Sequence, residues 1–131
     1  MLTIQHTEFI LYVKDQQKST DFYQNMFRKE ADVKVPGMTE FILNDFCKLG
    51  LMPQDGIANI ITPALPHPQL GNGIPRCELY FRVENLRETY QHIENLGVNI
   101  ISKIEARNWG DTAFYCTDPD GHVIAFAAKL N

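Results

Sequence analysis

The chain has 131 residues and a formal net charge of -4, room for one domain with a substantial core and too little for two ordinary ones. Hydrophobic residues at 44% and charged residues at 21% exclude a disordered chain, and no apolar run approaches the roughly 18 residues that a membrane span needs. The acidic balance also speaks against a nucleic-acid partner, which asks for a basic stripe.

Met1 to His6 lacks the basic and apolar regions of a signal peptide. Three cysteines, Cys47, Cys77 and Cys116, stand apart with no CxxC pairing. Together these features predict a cytoplasmic protein whose thiols are reduced and buried as small hydrophobes.

Thr7 to Val13 reads as the first strand. Asp15 then caps a helix from Gln16 to about Arg28, with Phe22, Tyr23, Met26 and Phe27 as its apolar stripe. Lys29 to Val35 predicts a short strand ending at the turn dipeptide Pro36-Gly37. Thr39 to Asn44 and Phe46 to Met52 read as a hairpin turning near Asn44-Asp45. From Pro53 to Pro75 the character changes, with five of the seven prolines in this stretch alongside Gly56, Gly71 and Gly73. It reads as a connector in which Ile57 to Ile61 adds a short extended piece; a loop this long also has a share in a ligand site as its alternative role.

Cys77 to Val83 alternates cleanly, with Leu79, Phe81 and Val83 on one face and Glu78, Tyr80 and Arg82 on the other. Asn85 and Glu88 are spaced as a capping box. Leu86, Tyr90, Ile93 and Leu96 form a helical stripe, and Gly97 ends it. Val98 to Ser102 is the next strand, and Thr112 to Thr117 pairs with His122 to Ala128. The Asp118-Pro119-Asp120-Gly121 between them has the residue preferences of a type I turn. Glu8 to Asp15 lies over Glu78 to Asn85 when the two halves are superposed. A strand-cap-helix unit therefore occurs twice, the mark of a duplicated module. The fold expected is α+β: two tandem β-α-β-β-β modules, 1–52 and 76–131, joined by the connector 53–75 in a single domain 1–131.

This pattern resembles the vicinal oxygen chelate superfamily, which includes glyoxalase I, extradiol dioxygenases, and fosfomycin- and bleomycin-resistance proteins. The residues that carry the resemblance are Leu11 to Asp15, Ser19 and Phe22-Tyr23, then Trp109-Gly110, Phe114-Tyr115 and Asp118 to His122. The resemblance implies a curled eight-stranded mixed sheet with helices outside and a ligand in the cup. Its metal enzymes place ligands on the first and last strand of each module, which fall here on Glu8, Glu78, Ala125 and a position at or near Gly50. Two of these four offer no donor, and three or four ligands are what a Lewis-acid site needs.

The chain is therefore more similar to the metal-free, bleomycin-resistance type, which sequesters a small molecule in the cup of a homodimer. The expected ligand is aromatic or cationic, and the expected ligand-binding residues are Glu8, Tyr12, Glu78, Tyr80, Arg82, Trp109 and Tyr115. No cofactor is expected. The alternative is a divalent metal on Glu8 and Glu78, helped by His6, in a glyoxalase-type lyase, isomerase or dioxygenase. A third possibility is a small interaction dimer without a ligand. Arg82 is also placed to pair with one of the two glutamates, Arg107 and Asn108 read as solvated, and Phe81, Phe114 and Phe126 read as core.

Overall fold

The structure is a computed structural model that describes residues 2–130; Met1 and Asn131, the limits expected for the domain, lie outside the described residues. The chain divides into two compact units, Met1–Asn72 and Gly73–Asn131. In the first, β1 (Thr7–Val13), α1 (Gln16–Phe27), β2 (Val33–Val35), β3 (Met38–Asn44) and β4 (Cys47–Pro53) follow one another. In the second the same order returns as β5 (Glu78–Arg82), α3 (Leu86–Asn95), β6 (Ile100–Ala106), β7 (Asp111–Thr117) and β8 (Val123–Lys129).

The eight strands form two four-stranded sheets of matching topology, β1-β4-β3-β2 and β5-β8-β7-β6. In each, the first strand pairs in parallel with the last and the remaining pairs are antiparallel. The expected duplicated α+β fold is thus present, with a helix against one face of each sheet.

Local chemistry explains the helices. The Asp15 side chain accepts from Lys18 N at 3.0 Å and opens α1; Arg28, at a φ of 55°, closes it in the left-handed region. Asn85 accepts from Glu88 N at 3.0 Å, and Glu88 Oε2 accepts from Asn85 Nδ2 at 3.3 Å. Behind the first sheet, Tyr23 and Phe27 of α1 meet Phe41 of β3 over buried Val13, Leu49 and Leu51. Behind the second, Tyr90 of α3 stands edge-on to Phe114, which stacks on Phe126. Fully burying a ring such as Phe41 or Phe114 stabilises its unit by about 1.5–3 kcal/mol.

Three expectations are corrected. Ile57 to Ile61 is not extended: it belongs to α2 (Gln54–Ile61), which turns Gln54 and Ala58 inward and packs on β4 and β1. The apolar spacing there is helical, and contact with the sheet outweighs the strand preference of the three isoleucines. The strand after Gly97 begins at Ile100 and runs to Ala106, and Cys77 is exposed while Cys116 is buried.

Candidate functional site

Alternation along each strand leaves one face of each sheet to its helix and the other open. On the open face of the second sheet, β5 presents Glu78, Tyr80 and Arg82, and β7 presents Asp111 and Tyr115. Between the middle of these strands β8 offers small side chains: Tyr80 and Tyr115 both register on Ala125, and Arg82 registers on Ala127, while Asp111 registers on Lys129. Both alanines are fully buried beneath these longer neighbours.

A single hydrogen-bonded chain crosses this face. Trp109 Nε1 donates to the Tyr80 hydroxyl at 2.9 Å, and that hydroxyl donates to Asp111 Oδ2 at 2.5 Å. Arg82 closes the chain from the other side, Nη2 donating to Asp111 Oδ1 at 2.9 Å and Oδ2 at 3.1 Å. The Tyr80 hydrogen bond, against the cost of burial, and the Arg82 guanidinium hold the Asp111 carboxyl below its ordinary range. Burial and the hydrogen bond to Asp111 raise Tyr80.

Arg82 therefore does not pair with a glutamate as sequence alone allowed; its partner is Asp111, a residue the sequence reading passed over. Glu78 is exposed and has no hydrogen bond or ion pair among the described residues. Burial and the negative charge of Glu78 push the Tyr115 hydroxyl upward, while Arg107 opposes them. Arg107 also departs from expectation. Its side chain is not solvated but folds over the Tyr115 ring at 5.1 Å from the centroid and donates to Ser102 Oγ at 2.9 Å and to the Ala113 carbonyl at 2.9 Å.

Glu8 and Tyr12 lie on the open face of the first sheet, in the row with Ile10. Gly50 makes room for Glu8: a Cβ there would lie 2.8 Å from Glu8 Oε1. That oxygen is buried with no hydrogen-bond partner among the described residues. Burial and a hydrogen bond shared with the Glu40 carboxyl raise Glu8 above the ordinary carboxylate range, with Lys48 pulling the other way. Glu40, on the strand beside Gly50, was not singled out in the sequence because its partner comes from a non-adjacent strand. His6 precedes β1 and is exposed.

In the turn before β8, Asp118 Oδ1 accepts from Asp120 N and His122 N, both at 2.9 Å, and Asp118 Oδ2 accepts from His122 Nδ1 at 2.7 Å. The ligand-type atoms of Asp118, Asp120 and His122 lie within 4.8 Å of one another. Turn geometry accounts for that grouping.

The glyoxalase-like domain model matches residues 6–131. The chain belongs to the glyoxalase-like family. Among solved structures, this glyoxalase-like chain is similar to a glyoxalase/bleomycin resistance protein/dioxygenase from Nocardioides, at 20% identity and a TM-score of 0.78, over 100% of this chain and 85% of that one. A glyoxalase-related enzyme from Fulvimarina pelagi matches at 19% identity and a TM-score of 0.78, over 95% and 88%. An integron cassette protein of V. Cholerae matches at 24% identity and a TM-score of 0.66, over 98% and 97%. These likenesses establish the fold. No helix among the described residues is long and apolar enough to cross a membrane.

A metal held in the manner of the superfamily's enzymes fits these residues poorly. In the first unit the last-strand position is Gly50, whose Cβ space is taken by the carboxylate of Glu8 itself. In the second, Ala125 offers no donor. One carboxylate per unit at the expected positions falls short of the three or four ligands of a Lewis-acid centre.

Proposed function

We propose that this glyoxalase-like protein binds a small basic aromatic compound on an open sheet face, without metal chemistry, in the manner of the bleomycin-resistance type. The observation that carries the reading is Arg82 on Asp111. With that guanidinium engaged, Glu78 is left as an exposed carboxylate beside Tyr115 and in line with Tyr80, a combination suited to a ring bearing a positive group. Tyr12 and Glu8 offer the first sheet's counterpart, though there Glu40 and Lys48 share the carboxylate. The protein acts as a homodimer with two equivalent sites; the exposed Phe9, Ile10 and Phe46, at β1 and the β3–β4 turn, support an apolar contact with a second copy.

The test is a thermal-shift screen of basic aromatic compounds against the wild type and Glu78→Gln. Stabilisation of the wild type that falls away in Glu78→Gln supports the reading. A screen in which no basic aromatic stabilises the protein removes it.

The metal-dependent alternative rests on one observation, the orphaned Oε1 of Glu8 beside Glu40. Two carboxylates and water suit a loosely held hard cation rather than a catalytic transition metal.

A further inference from the structure

The open side of β5 is ordered by chemistry along its length. Glu78, Tyr80 and Arg82 stand at alternate positions, so the carboxylate and the guanidinium are separated by about 13 Å of strand with an aromatic ring midway. The two ends differ in how they are satisfied. Glu78 has no partner among the described residues, whereas Arg82 has given Nε and Nη2 to buried Asp111, at 3.3 and 2.9 Å. Its charge is balanced there, with Lys129 on the adjoining strand adding to the positive field on Asp111. Nη1 makes no hydrogen bond among the described residues, and the Arg82 side chain is 55% exposed. Arg82 thus remains a donor while no longer competing as a free cation.

The middle of the stripe is fixed. Tyr80 is held at its hydroxyl by Asp111, and Trp109 is tied to the same hydroxyl, which anchors its indole at that end of Tyr80 while leaving it exposed. Tethered rings lose little freedom on binding, so an aromatic ligand meets a prepared surface.

Building on the small-molecule reading above, we propose that β5 measures its ligand: it takes an elongated aromatic compound with a basic group at the Glu78 end and a carbonyl-type hydrogen-bond acceptor at the Arg82 end, laid across Tyr80 and Trp109. A ring that carries only the basic group lacks the Arg82 contact, and a neutral amide leaves Glu78 unmatched. Asp111 is a positioning residue in this scheme, acting through Arg82 and Tyr80.

Trp109 is the single tryptophan of the chain, so its emission reports directly on this surface. The probe is 4′-amidinobiphenyl-4-carboxamide, compared with biphenyl-4-amidine and biphenyl-4-carboxamide, in fluorescence titrations with melting temperature followed in parallel. The full probe is expected to change Trp109 emission, and each trimmed compound to bind about ten-fold more weakly, the loss expected for one charge-assisted hydrogen bond. Glu78→Gln is expected to remove the preference for the amidine alone. Arg82→Lys, which keeps the charge but loses the planar fork, is expected to remove the preference for the carboxamide alone. Equal affinities for all three compounds, or preferences unchanged in the two variants, overturn the proposal. If other basic aromatics still stabilise the protein in that case, the binding reading survives without the ruler. If none does, both fall.

Discussion

Arg82 sets the charge of its sheet face because Asp111 claims it. Asp111→Asn removes the counter-ion and frees the guanidinium to swing toward Glu78, so it is expected to weaken the binding of basic aromatics several-fold although Glu78 is untouched. It also loosens Tyr80, and with it Trp109, which a shift in tryptophan emission in the absence of ligand checks. A second residue-scale prediction concerns His122. Burial lowers its pKa, but the hydrogen bond and charge of Asp118 and the charge of Asp120 outweigh burial and raise it above the ordinary imidazole value. A raised folded-state value means that the ion pair contributes fully below the unfolded pKa and is lost as pH rises through the folded one. His122→Gln should therefore cost more stability at about pH 6 than at about pH 9. Denaturant unfolding of both proteins at the two values checks it, and equal losses would show that the ion pair contributes nothing. The turn around His122 was legible because Asp, Pro and Gly act on their own backbone. Asp111 was not: its meaning comes from Arg82 and Tyr80 on β5, a strand with which β7 does not pair.

At the scale of elements, the strand and helix order was readable from alternation and caps because both are local. Asn85→Ala should destabilise by about 1 kcal/mol, the usual worth of a side-chain N-cap, measured as a shift in the urea midpoint. The α2 helix was missed because Ile57, Ile60 and Ile61 favour strands, and only the surface of β1 and β4 makes the helix worthwhile. Gly50 belongs to this scale too, since its bareness lets β1 lay a carboxylate across β4. Gly50→Ala is expected to cost about 1–3 kcal/mol through overpacking and to drive Glu8 outward, away from Glu40. A crystal structure of the variant with Glu8 unmoved would contradict that account. The substitution leaves the second unit unchanged, so binding by its open face should persist.

For the whole molecule, the duplication visible in sequence appears as two sheets of the same topology, and family membership follows from the match over residues 6–131. What the family does not supply is the chemistry, because this fold hosts several. The dimer proposed above places Phe9 and Phe46 in a buried contact. Phe46→Glu, at an exposed turn where folding costs little, should shift the protein toward monomer in sedimentation velocity, and an unchanged sedimentation coefficient would remove Phe46 from the interface. The central claim, binding without metal chemistry, is tested most directly by elemental analysis of untagged protein alongside Glu8→Ala and Glu78→Ala. The account predicts far less than one equivalent of nickel, zinc, iron or manganese in all three samples. Near-stoichiometric metal that disappears in either variant would contradict it and make this chain a metal-dependent enzyme of the glyoxalase type.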